Sequence, residues 1–277
     1  MTELGEFATL QVEVDNGVAR AVISNPPINL MTIDLYRDLM RLPDVVAAEP
    51  SARALVLASA NPDFFIAHFD VETILTFPAD TPTAWTDELN PFHRMCERYR
   101  TMPIPTICEI AGRVGGGGGE LAASCDMRFG AIDTTVLCQM EVPLGILPGG
   151  TGTQRLPQLV GRGRAMEIVL AGDDIDAATL EQWGWLNRAV PAAELTTHVN
   201  RLAARIASFP PEAVSRAKAS VLAAEADPVP GMRVEAHLFQ ETVRTDAAQQ
   251  RMRNFLDRGG QTVDGESRVG ALGAELG

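Results

Sequence analysis

The chain has 277 residues, 46% of them apolar, enough for one large core or two small ones. Its formal net charge of −13 argues against nucleic acid and anionic membrane surfaces as main partners, because phosphate contacts need clustered Lys and Arg. No stretch reaches the ~20 apolar residues of a membrane-spanning helix, and MTELGEFATL has neither the basic nor the apolar region of a secretion signal. Cys96, Cys108, Cys125 and Cys138 form no CxxC pair and sit among mostly apolar neighbours. They read as reduced core residues, and a cytoplasmic location is expected.

Residues 9–14 (TLQVEV) and 18–23 (VARAVI) flank Asp15-Asn16-Gly17 and predict a hairpin. Residues 32–42 read as a helix capped by Thr32 and broken by Pro43. The apolar run 54–58 (ALVLA) predicts a buried strand, and 85–100 a helix. Strands are expected over 104–111, 126–131 and 134–140, with a short helix over 118–125. This alternation predicts an α/β fold. From about 151 the chain turns mainly helical, with apolar spacing at Leu195, Val199, Leu202 and Ile206. A helix follows over 211–224, then a long polar helix to about Asp257. The expected division is a core over 1–200, a helical region over 201–257 and a flexible tail over 258–277.

Three stretches could carry chemistry. In RVGGGGGELAA, five glycines (Gly115–Gly119) run from a strand into a helix, and Glu120 follows at once. Free N–H groups at such a helix start favour negative charge. They suit a phosphate, an oxyanion that develops during reaction, or a plain tight turn. The P-loop Lys-Ser/Thr is missing. In FFIAHFDVETI, Asp70 suits a helix cap, and His68 taken alone reads as structural. In QMEVPLGILPGGTGTQRL, Glu141 stands at a strand end before glycines 149, 150 and 152, which read as a helix entry rather than a phosphate loop.

These segments, with NPPINLMTIDLYRDL, resemble the crotonase superfamily, the enoyl-CoA hydratases and isomerases, over about residues 8–257. The glycine–glutamate segment together with LGxxPGxxGTQRL carries the resemblance most specifically. It implies a spiral of repeated ββα units, followed by helices that build homotrimers or dimers of trimers. It implies an acyl-CoA thioester substrate, no metal, and no cofactor beyond the coenzyme A of that substrate. By position, the N–H groups of Phe69 and Gly117 would bind the thioester oxygen, with Ala67, His68, Asp70 and Gly116 as substrate-binding neighbours. Glu120 would activate the water that attacks C3, and Glu141 would protonate C2. Having both glutamates favours hydration over isomerisation, hydrolysis or decarboxylation. It also opposes a non-catalytic acyl-CoA- or RNA-binding role, as does a chain whose only lysine is Lys218.

Two departures stand out. The family's loop commonly reads Ala-Gly-Ala-Asp; here it is Ala67-His68-Phe69-Asp70. The Phe69 N–H can still donate, but the larger side chains reshape the pocket, and His68 either faces the substrate or fills space. The family's lysine two positions after that Asp is Glu72 here, which leaves phosphate contacts to arginines such as Arg20 or Arg233.

Overall fold

The computed structural model describes residues 2–276. β1 (Thr2–Glu3), β2 (Leu10–Asp15) and β3 (Val18–Ile23) form an antiparallel meander. β2 buries every second residue, Leu10, Val12 and Val14, as a strand with one wet face does. Asn16 and Gly17 turn the expected hairpin at φ 48° and 82°, values that match the twist of the flanking strands.

α1 (Ile33–Ala47) starts on Thr32, whose hydroxyl accepts the Leu35 N–H. Pro43 was expected to end this helix, yet it lies inside it. A proline there removes the N–H that would bond the Leu39 carbonyl. The buried Tyr99 hydroxyl donates to that carbonyl at 2.8 Å, so the break is compensated. β4 (Ala54–Ser59), β5 (Phe64–Ile66) and α2 (Val71–Leu75) follow. α3 (Pro91–Thr101) begins later than the expected residue 85, because Asn90 accepts the His93 N–H and Pro91 suits the first helical position.

β6 (Thr106–Ile110), β7 (Arg113–Gly115) and α4 (Gly116–Ser124) take in the glycine run. Next come β8 (Met127–Ala131), β9 (Val136–Cys138), α5 (Gly152–Val160) and α6 (Arg162–Ala171). β10 (Asp174–Asp176), α7 (Ala177–Trp183) and β11 (Arg188–Val190) complete the sheets. The larger sheet has the order β1-β2-β3-β4-β6-β8-β11 and the smaller β10-β9-β7-β5. From β3 onward the larger sheet is parallel, as are β5, β7 and β9 in the smaller one. Each turn of chain places one strand in each sheet and then a helix, which is the expected spiral of ββα units. All four cysteines are free and buried.

α8 (Ala192–Ala207) packs Leu195, Val199 and Ala203 on Val56, Ile107 and Phe129 of the larger sheet. A boundary at residue 200 therefore cuts a helix that belongs to the core. α9 (Pro211–Leu222) is followed by α10 (Val229–Val243) and α11 (Asp246–Asp257). The single polar helix expected here is two, because Thr245 accepts the Ala248 N–H and starts a new one. The stretch expected to be a flexible tail is also corrected. It forms α12 (Val263–Ser267) and α13 (Val269–Ala274), with Leu272 and Leu276 only 0% and 1% exposed. They pack with Val71, Leu144 and Phe255 in a second apolar cluster, and this burial offsets the ordering cost of the glycines.

Candidate active site

The glycine run lets α4 pack closely against the strands of the smaller sheet. A Cβ at Gly118 would lie 2.7 Å from the Ile66 carbonyl oxygen. Gly116 has φ +44° and would meet the His68 Cβ at 2.8 Å, so both space and backbone favour glycine. Of the run, only Gly117 reaches the wall of an apolar cavity of about 370 Å3. The glycines thus serve close helix–strand packing more than passage of a ligand.

Glu120 is 4% exposed, and its Oε1 accepts the N–H groups of Gly150 and Gly152, each at 2.8 Å. These are the glycines of the loop that opens α5. Their donors are spent on a protein carboxylate, as a helix entry allows and a phosphate loop would not. The alternate donors of the same stretch, Thr151 and Thr153, bond Glu235 of α10 at 2.7 and 2.9 Å. Thr151 sits at φ 100°, a strained value for a threonine, and the alternation of donors holds it there. Glu235 also accepts from the Thr153 hydroxyl and meets His93 Nε2 at 2.9 Å, with both Glu235 and His93 side chains fully buried.

Glu141 follows β9 by three residues. Its Oε1 accepts from Gln139 Nε2 at 3.0 Å, and its buried Oε2 has no partner among the described residues. Glu141 and Glu120 both face the cavity. Burial pushes the Glu141 carboxyl up to about 7, against the opposing pull of its hydrogen bonds and of His68. Burial, then the Glu141 and Glu235 charges, raises Glu120 well above its ordinary value, while the Gly150 and Gly152 donors resist. The pair therefore retains a proton at neutral pH.

Phe69 and Gly117 also line the cavity. Met31 donates to the His68 carbonyl at 2.8 Å and accepts from Asp70 N–H at 3.2 Å, and the intervening Phe69 N–H has no backbone partner among the described residues. Gly117 lies in the first turn of α4, where N–H groups have no intrahelical acceptor, and no side chain caps that end. A Cβ at Gly117 would stand 3.4 Å from the Phe69 Cβ, so the two residues adjoin. Ala67, Asp70 and Gly116 do not reach the cavity wall. Asp70 instead caps α2, accepting from Glu72 N–H at 3.0 Å and from the Thr73 hydroxyl at 2.8 Å.

Aromatic rings form one side of the cavity. Tyr36 stacks on Phe92 with centroids 5.9 Å apart, and Phe69 meets both edge-on at 6.0 and 6.1 Å. Burial pushes the Tyr36 hydroxyl up to about 12. His68, 2% exposed, is bonded at both ring nitrogens, Nδ1 to the Phe69 carbonyl at 2.8 Å and Nε2 to Glu266 at 3.0 Å. Burial disfavours its charge, but Glu266, the Phe69 carbonyl and Glu141 outweigh that and raise it. Arg20 is committed to Glu109 at 2.7 Å and Asn200 at 3.1 Å, and Lys218 to Asp126 at 2.7 Å, so neither is free for phosphate. Arg233 remains partly exposed, 3.9 Å from Asp87.

Sequence reasoning missed Glu235, His93, Gln139 and Glu266. Gln139 lay two residues before Glu141 in a stretch already singled out. Glu235 and Glu266 carried no signal, because Thr151, Thr153 and His93 lie 82 or more residues from Glu235, and His68 lies 198 from Glu266.

A two-sheet spiral whose cavity holds two buried carboxyls beside a glycine-started helix defines the crotonase class of α/β folds. The chain belongs to the enoyl-CoA hydratase/isomerase family, whose model matches residues 13–264. It is 30% identical to the "Probable enoyl-CoA hydratase echA8" of Mycobacterium bovis over 91% of this chain and 96% of that protein. It is 28% identical to the "Putative enoyl-CoA hydratase/isomerase YngF" of Bacillus subtilis over 83% of this chain and 87% of that one. A crystal structure of a "putative enoyl-CoA hydratase from Streptomyces avermitilis" superposes with a TM-score of 0.89 at 38% identity, covering 98% of this chain and 99% of that one. No helix is long and apolar enough to cross a membrane among the described residues.

Proposed function

We propose that this chain adds water across the double bond of a 2-enoyl thioester of coenzyme A. The observation that carries the reading is the carboxyl pair. Glu120 and Glu141 face one apolar cavity, Glu120 is held by two N–H donors, and Glu141 has an unpartnered Oε2 and is raised to about 7. Hydration needs one carboxylate to take a proton from water and one carboxylic acid to give a proton to carbon. The Glu120 carboxylate draws a proton as the water oxygen bonds C3. The π electrons shift toward the thioester oxygen, which the Phe69 and Gly117 N–H groups receive. Glu141 then delivers its proton to C2. Each such N–H donor contributes about 3–4 kcal/mol of transition-state stabilisation in comparable sites. Apart from Glu120, Glu141 and His68, no Asp, Glu, Lys, Arg or His side chain lines the cavity, so it suits an uncharged hydrocarbon acyl group. Assembly into homotrimers or dimers of trimers belongs to the same reading. Support comes from exposed apolar side chains on three helices, Met166 and Leu170 of α6, Val221 of α9 and Val234 of α10.

The test is loss of the conjugated absorbance of an unbranched 2-enoyl-CoA, followed against pH. Because the reaction needs one proton on the pair, carried by Glu141 and not by Glu120, activity is expected to fall as pH rises through about 7, where Glu141 ionises, and to fall again at acid pH, where the raised Glu120 carboxyl is protonated as well. Flat activity from pH 6 to 9 would contradict the assignment of Glu141 as the acid.

A further inference from the structure

Segment 259–276 reaches back to the loop that carries Phe69. Glu266 Oε1 accepts from His68 Nε2 at 3.0 Å and from the Gln261 N–H at 2.7 Å. Gln261 Oε1 in turn accepts the Val71 N–H at 2.6 Å. His68 Nδ1 closes the circuit on the Phe69 carbonyl at 2.8 Å. Residues 68–71 are thus tied to 261–266 by a chain of hydrogen bonds whose central pair, His68 and Glu266, is buried. The His68 and Glu266 side chains are 3% and 2% exposed. Phe255 stacks edge-on against the imidazole at 5.7 Å, which fixes the ring plane.

Both ring nitrogens point at oxygens that only accept, a carboxylate and a peptide carbonyl. Each must then carry a hydrogen, so the ring is an imidazolium. The charged groups that face it are Glu266 from α12 and Glu141 from the turn after β9, with Arg113 of β7 beyond Glu266. A site built only to fill space would not bury a charge pair, which costs more than an apolar side chain of similar volume.

We propose that His68 is a positioning residue. Held as an imidazolium by Glu266, it fixes the peptides on either side of Phe69 so that the Phe69 N–H stays aimed into the cavity, and it supplies a positive charge beside Glu141. Segment 259–276 is therefore a working part of the active site. The kinetic consequences rest on the hydratase reading; the charge state of His68 does not.

Two measurements separate these levels. The first needs no substrate: ring 15N shifts of the four histidines, with His68→Gln identifying the resonance. The expected result is a doubly protonated His68 ring that persists above the pH at which an ordinary imidazole loses its proton, lost at lower pH in Glu266→Gln and retained in Glu266→Asp. A neutral His68 in the unaltered protein at pH 7 overturns the proposal. The second is the pH profile of hydration. His68→Gln and Glu266→Gln are each expected to lower kcat/KM about tenfold and to move the basic limb upward by about one pH unit, as loss of a neighbouring positive charge does. The double variant is expected to lose little more than either single one, since both remove one arrangement. If both variants remain folded, and kcat/KM and the limb stay where they were, the positioning role is refuted. If the 15N result holds while no 2-enoyl-CoA is consumed by the unaltered protein, the hydratase reading fails and the clasp stands.

Discussion

Glu120→Gln is expected to slow hydration of a 2-enoyl-CoA by about 10²- to 10⁴-fold, the usual weight of a positioned acid or base, and Glu141→Gln by a similar factor. Both replacements keep shape and hydrogen bonding. A glutamine at 120 can still accept from Gly150 and Gly152, and one at 141 can still accept from Gln139. KM should change little and the fold should persist, which a thermal melt checks. The double variant should be no slower than the worse single one, because water activation and protonation belong to one concerted arrangement. A Glu120→Gln enzyme with unaltered hydration would remove that residue from the mechanism.

The second large effect is on stability. Glu235→Ala is expected to cost about 3–5 kcal/mol of unfolding free energy, seen as a lower denaturation midpoint. Removing that side chain strands the Thr151 and Thr153 N–H groups and the fully buried His93 at once. It also releases the strained Thr151, and with it the loop that presents Gly150 and Gly152 to Glu120. Glu235→Gln keeps an acceptor and should lose less than half as much. A Glu235→Ala protein with an unchanged midpoint would show that the α5 entry is held by other means.

What was legible in the sequence, and what was not, divides along the length of the contacts. The β2–β3 hairpin was readable because its turn residues and its alternation lie within a few positions of one another. α1 misled, since Pro43 signals a break locally and the hydroxyl that repairs it comes from Tyr99 on another helix. The tail misled for the same reason. Gly259, Gly260, Gly265, Gly270 and Gly273 hide the spacing of Val269, Leu272 and Leu276, and only the partner cluster around Phe255 shows that the spacing matters. At the site, Glu120, Glu141, Phe69 and Gly117 could be placed because the segments that carry them resemble the crotonase pattern position by position. The geometry then brings all four to one cavity. Asp70 and Gly116 were drawn in with them by adjacency; the Asp70 side chain caps α2, and the bare backbone of Gly116 permits close packing on His68. His68 was ambiguous in sequence because its meaning depends on Glu266, 198 residues away.

The most direct test of hydration is the fate of the water oxygen. A 2-enoyl-CoA incubated with the protein in 18O-water should give a product heavier by one labelled water, with the label at C3 and a hydrogen from solvent at C2. A product of unchanged mass with its double bond moved, or a free acid carrying the label on its carboxyl group, would contradict hydration and assign the pair of carboxyls to another reaction.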